Sequence, residues 1–319
     1  MAALLAQRGV VTYRSESELN GRTLDVLRDF QRENKPNLVP WLSSAARKDR
    51  DGLIALKRWA FRQSYEKRTD FGGVDVAFVG VWDTVAAYGG PSAEVTRAID
   101  NFIYPLSMTD QYLSERVQVA RHALALDDER DSFHPVLWDE WEWSRKARNK
   151  HGTDAAAVRA FEQRMQQVWF AGMHSDVGGG YPDESLSFVS LAWMMKEAAE
   201  AGLRFLPGSW DRVRMMSNSL GPIHNSRSGF ASYYRYQPRR LDGFLHKSVI
   251  GPQEFEKTRT YRDPVRGERI YPPQGYLLSC NIHESVVARI ANGTDDYAPI
   301  SVPPVFNIMP FNFEGGGNP

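Results

Sequence analysis

VWFAGMHSDVGGGY, residues 168–181, starts as an apolar run and breaks at His174 and Asp176 into three glycines. An apolar run closed by turn residues reads as a buried strand, and the positions just past a strand's carboxyl end are where α/β proteins gather their chemistry. A second run of the same kind, VDVAFVGVWDTV at 74–85, ends at Asp83. Two strand ends therefore each present one ionisable group, with Asp ahead of His in the chain. That order is the back half of a Ser, Asp, His triad. Its front half, a Gly-x-Ser-x-Gly nucleophile turn, occurs nowhere in the 319 residues.

Working outward, VDVAFVGVW fits a parallel strand buried on both faces apart from Asp75. Past the glycines, Asp183 or Ser185 can cap a helix reaching about residue 201, with Gly202 beyond its end. Its apolar residues, Leu186 through Met195, run nearly all round, which predicts deep burial. Upstream, Ser15 and Glu18 have capping-box spacing for a helix to about residue 34 carrying Leu19, Leu24, Leu27 and Phe30. Leu53, Leu56 and Trp59 suggest another helix before the strand at 74. Strands alternating with helices define an α/β class with a mostly parallel sheet flanked by helices. From about 205 onward, clusters such as YYRYQPRRLDGF at 233–244 and YRDPVRGERIYPP at 261–273 read as irregular and β-like segments.

Composition excludes some partners. Lys plus Arg equals Asp plus Glu at 39 each, so no global field draws the chain to nucleic acid. The single cysteine, Cys280, rules out an internal disulfide and reads as a buried small hydrophobe, with a Cys280–His283 nucleophile pair as a remote alternative. No apolar run approaches a membrane span or the h-region of a signal peptide, which predicts a soluble protein, cytoplasmic as made. WDEWEW at 138–143 alternates indole with carboxylate; packing is the favoured account, a lipid-facing surface the alternative.

Several blocks carry a resemblance: GVWDTV at 80–85, RHALALDDERDSF at 121–133, QQVWFAGMHSDVGGGY at 166–181 and LAWMMKEAAEAGL at 191–203, with weaker matches at IHNS 223–226, PRR 238–240, IHESVVARI 282–290 and YAP 297–299. In this order they resemble the uncharacterised α/β-hydrolase domain family that includes the phospholipase effectors of bacterial type VI secretion. The resemblance implies ester hydrolysis on lipid or other acyl substrates, no cofactor and no metal, and delivery by a secretion system. It makes Asp83 the triad acid and His174 the base.

The departure lies at the front, where both the family's early Asp-Gly-Thr strand and its nucleophile elbow are absent. MAALLAQRGVV resembles the helix that follows the elbow, and that helix lacks an N-cap residue. The expectation is an α/β-hydrolase-like core over 1–205, truncated before the elbow, then a mixed extension over 206–310 packed on the core and a mobile tail over 311–319. A complementary N-terminal fragment encoded upstream is the expected partner. A non-catalytic lipid- or protein-binding remnant and an inactive gene fragment stand as alternatives.

Each candidate has a plainer reading. Asp176 is a rival orienter of His174, though its place before Gly178, Gly179 and Gly180 suits a turn-stabilising role better. The glycines themselves suit a tight turn or a phosphate cradle. His174, Asp176, Asp83 and Asp127 are all possible metal ligands, but their spacing matches no ligand signature. Arg121, His122, Asp127 and Arg130 read as an ion-pair network positioning the Asp83 loop. His283 is the weaker alternative base.

Overall fold

The structure, a computed structural model, describes residues 2–33, 71–85, 113–130, 133–228, 236–251, 253, 260–263, 267–270 and 276–312. The helix expected around Leu53 and the tail at 313–319 lie outside the described residues. The polypeptide divides into two compact units, residues 1–77 with 99–118, and residues 78–98 with 119–319.

In the first unit, α1 (Ala2–Arg8) stops at Gly9, whose φ of 79° needs no Cβ penalty. A Cβ there would lie 2.1 Å from the carbonyl oxygen of Gly72. The next helix, α2 (Glu16–Glu33), starts where the capping spacing places it. Ser15 Oγ accepts from the Glu18 N–H at 3.3 Å, while the Glu18 carboxylate accepts from Arg14 N–H rather than from the cap residue. Val26 is buried in this helix, and Leu24 and Leu27 of the expected apolar stripe are exposed.

The principal sheet has five parallel strands in the order β1-β2-β3-β6-β7. They are β1 (Val76–Trp82), β2 (Val117–Ala125), β3 (Met165–Phe170), β6 (Asn281–His283) and β7 (Asn307–Met309); β4 (Thr260–Asp263) and β5 (Gly267–Ile270) pair antiparallel as a separate ribbon. The two apolar runs read from sequence form β1 and β3, but they are not neighbours. VQVARHALA lies between them as β2, in register Ala123 to Val168, Leu124 to Trp169 and Ala125 to Phe170. Residues beyond 205 supply β6 and β7, so the later chain completes the sheet itself.

Period-two alternation divides β2 and β3 between two cores. Ala123, Ala125, Val168 and Phe170 face Val189, Trp193 and Met194, while Leu124, Leu126, Trp169 and Ala171 face Leu137, Leu241, Leu277, Ile282 and Val286. Burial on both faces is the property that makes parallel strands read as apolar runs, and each buried Leu contributes about 2 kcal/mol.

Four more helices, α3 (Glu140–His151), α4 (Ala155–Glu162), α5 (His174–Gly178) and α6 (Ser187–Glu200), follow β2 and β3. As predicted, α6 is enclosed on more than one side. Besides its sheet contacts, Ala192 and Met195 pack with Val213, Phe205 and Trp210. Asp183 caps the preceding turn through Ser185 N–H, and Gly202 follows the helix at φ 96°.

The tryptophan-carboxylate repeat packs inward. Asp139 caps α3, Trp141 stacks on His246 at 4.0 Å, and buried Trp143 donates to the Phe161 carbonyl at 3.1 Å. Phe311, placed by sequence in a mobile tail, instead packs against both cores that α6 touches, because its ring finds apolar partners there. Among the described residues, no helix is long and apolar enough to cross a membrane.

Candidate active site

All residues of the site lie in the second unit. Asp83 is the first residue after β1 and is fully buried. Its φ of 36° falls in the left-handed region, which Asp tolerates better than most side chains and which turns its carboxylate across the end of β2. There it accepts four hydrogen bonds. Oδ1 takes Ala125 N–H at 2.9 Å and Arg239 Nη1 at 2.6 Å, and Oδ2 takes Arg239 Nη2 at 2.8 Å and His174 Nδ1 at 2.7 Å. Burial by itself would push the Asp83 carboxyl up; the Arg239 charge, with the bonds from His174 and Arg239, overrides it and holds the group well below the usual carboxylate range.

His174 sits at the start of α5, just past β3, where a tight turn carries it. Gly172, at φ 112°, is required here, since a Cβ would stand 2.5 Å from that of Asp176. Its N–H donates to Asp127 Oδ2 at 2.7 Å, the Met173 N–H to Asp176 Oδ2 at 2.9 Å, and the His174 N–H to Asp128 Oδ2 at 3.1 Å. Three carboxylates thus hold three successive backbone amides. Phe133 meets the His174 ring edge-on at 5.3 Å, and the Arg130 guanidinium, paired with Asp128 at 2.7 Å, lies over Phe133. An ionised Asp83 only accepts, so Nδ1 carries the proton in the neutral ring, and Nε2 keeps its lone pair as a base requires. The His174 side chain is 30% exposed while Asp83 is sealed.

A neutral imidazole supports the Asp83 turn from behind. His122 is buried, and its Nε2 accepts from Thr84 N–H at 3.1 Å while its Nδ1 meets Gln167 Oε1 at 3.3 Å. Burial pulls His122 down to about 4, so at neutral pH it holds Thr84 through a lone pair. Gln167 is fixed in turn by Trp138 N–H at 2.9 Å and by Glu140, which it reaches at 3.1 Å. The expected ion-pair network around Asp83 therefore resolves differently. His122 holds the adjoining Thr84 without charge, Arg121 pairs away with Glu197 at 2.5 Å, and Arg130 pairs with Asp128.

The other candidates are committed elsewhere. Asp176 stabilises the His174 turn and also orients a different histidine, His224, whose Nδ1 is 2.6 Å from Asp176 Oδ1 and whose ring stacks on Tyr181. Asp127 also accepts from the Tyr297 hydroxyl at 2.8 Å, and burial pushes it up to about 6. Of the four possible metal ligands, Asp83 and His174 bond each other, Asp176 bonds His224 and Asp127 bonds Tyr297. Gly178, Gly179 and Gly180 close α5, with φ 87° and 115° at the last two. His283 caps a later helix, α7 (Glu284–Asn292), by accepting from Ser285 N–H, and burial lowers it to about 3. Cys280 is buried, and its thiol is pushed up to about 12, far from a thiolate nucleophile.

Sequence reading did not give Arg239 or His224 a role, although both fall in quoted blocks, PRR and IHNS. Arg239 arrives from 156 residues away along the chain, carried by a segment in which Gln237 N–H bonds the Glu129 carbonyl at 2.7 Å. Beside the site a cleft of about 500 Å³ is lined by Asp127, Glu129, Met173, Ile223, Arg239 and Tyr297, among others.

A parallel α/β sheet whose carboxyl edge joins an acid to a histidine is the class the fold and geometry define. The family described as "T6SS, Phospholipase effector Tle1-like, catalytic domain" matches residues 1–197, and the chain belongs to that family. A Saccharomyces cerevisiae protein, "Uncharacterized protein YEL023C", is 37% identical over 87 residues, which cover 26% of this chain and 13% of the yeast protein's length. No solved structure matches the chain.

Proposed function

We propose that this chain carries the base and the acid of a serine-hydrolase triad that cleaves carboxylic ester bonds of phospholipids. The observation that carries the reading is the 2.7 Å bond between His174 Nδ1 and buried Asp83, at two strand ends of a chain in a phospholipase effector family. In this mechanism a serine hydroxyl attacks the ester carbonyl, His174 Nε2 takes its proton and returns it to the departing alcohol, and Asp83 fixes the tautomer and stabilises the imidazolium. Because no Gly-x-Ser-x-Gly turn occurs in the 319 residues, the proposed serine comes from polypeptide outside them. It is supplied by a longer product or by a complementary fragment, together with the backbone amides beside it that form most of an oxyanion hole. Synthesis in the cytoplasm and delivery by a secretion system belong to the same proposal.

The test compares this chain with a form joined to the serine-bearing segment. The chain alone is expected neither to label with a serine-directed fluorophosphonate nor to hydrolyse acyl esters above background, and the joined form to do both. In the joined form, His174→Ala and Asp83→Asn each lower turnover by orders of magnitude, about 10⁴-fold where tautomer control is lost, and Asp176→Asn lowers it less. Reaction by the chain alone, or a larger loss at Asp176 than at Asp83, refutes the assignment.

A further inference from the structure

The Asp83 carboxylate has two oxygens and four donors, and Arg239 supplies two of the four in a fork. Both partners are essentially without solvent contact, at 1% and 0% side-chain exposure. The guanidinium is itself fixed, with Nη2 donating to the Phe133 carbonyl at 2.5 Å and Nη1 to the Ala125 carbonyl. Its plane therefore dictates the plane of the carboxylate. Once Oδ1 is occupied by Ala125 N–H and Nη1, and Oδ2 by Nη2, one lone-pair direction on Oδ2 remains, and His174 Nδ1 fills it.

We infer that Arg239 is a positioning residue of the Asp83–His174 pair, clamping the carboxylate so that Oδ2 alone receives the imidazole and sets its direction. This inference rests on the triad reading given above. A buried arginine that served only stability needs an acid somewhere near it. What marks a positioning role is that Nη2 and the imidazole share one oxygen, so a carboxylate tilted out of the guanidinium plane loses the His174 bond as well. Lys cannot replace the fork, because an ammonium acts as a point charge without a plane. The charged and titratable groups around the clamp are Asp83, His174, Asp127, Asp128, His122 and His134. Of these, Asp83 accepts from the Arg239 side chain through both of its oxygens.

The test is proton NMR on the chain as it stands, observing the His174 Nδ1–H as a low-field resonance assigned by its loss in Asp83→Asn. Arg239→Lys, which keeps the positive charge, is expected to broaden or abolish this resonance while the dispersed methyl spectrum of the folded core persists. In the serine-joined form the same variant is expected to lower kcat by about 10–100-fold with little change in KM, as a misdirected base does. A resonance as sharp in Arg239→Lys as in the parent overturns the inference and leaves the triad reading standing. Absence of the resonance from the parent removes the Asp83–His174 pair, and the inference with it. Should Arg239→Lys fail to fold, the parent decides the matter. Its Arg239 Nη protons must show through-space cross-peaks to the His174 Nδ1–H across the shared oxygen, and their absence overturns the inference.

Discussion

Asp83→Asn is expected to destabilise the folded chain, and the size of the effect follows from what surrounds the carboxylate. The substitution removes the negative charge bonded to a guanidinium that is 1% exposed. It also replaces one of two accepting oxygens with a donating NH₂ in a ring of four donors. Breaking a buried pair from one side leaves an uncompensated charge, at a cost of about 3–5 kcal/mol. An exposed pair such as Arg240–Asp242 contributes less than about 1 kcal/mol by comparison. Urea unfolding at neutral pH, followed by tryptophan fluorescence, is the assay. With a slope near 3 kcal/mol per M the midpoint falls by roughly 1–1.7 M. Asp83→Asn combined with Arg239→Met, which removes both charges, is expected to recover part of the loss, so the double-mutant cycle shows strong coupling. A single-variant loss below about 1 kcal/mol, or additive single losses, refutes the buried clamp. Acid gives an independent check of sign. The Asp83 carboxyl is held below its ordinary range in the fold, so its contribution is present above the unfolded carboxyl value near 4 and is lost as pH falls through the folded one.

Glu140 works in the opposite direction. The residue is half-buried overall, but desolvation of its carboxyl, against bonds from Leu278 N–H and Gln167, pushes it up to about 7. Its folded form favours the proton, so its contribution is complete below about pH 4 and is lost as pH rises through 7; Glu140→Gln is expected to flatten a decline of about 2 kcal/mol between pH 5 and 8, and an unchanged slope refutes it. Gly172→Ala is expected to cost at least about 2–3 kcal/mol and to disturb His174, because the new Cβ meets that of Asp176 at 2.5 Å on a backbone with φ 112°. A melting temperature within about 2 °C of the parent contradicts this steric account.

Local pattern is legible in the sequence wherever a physical period or a cap writes it there. The unbroken apolar runs give β1 and β3, since parallel strands bury both faces, and the cap and stop residues give α2 and α6 to within a few positions. They also place Asp83 and His174 just past strand ends. That the two side chains meet is decided by tertiary structure: β2 lies between their strands, and Asp83 reaches across its end only because the backbone turns left-handed there. VQVARHALA is interrupted by charge at Arg121, and its apolar alternation reads as a strand only when both flanking cores are present. β6 and β7 are three residues each, too short to print a period. Arg239 and His224 sit in segments without regular spacing, and each meets its carboxylate across a long chain separation. Burial of a charge depends on what surrounds it in space, which is why the sequence alone determined strands, helices and strand-end candidates, whereas only the folded sheet decided which acid holds which histidine.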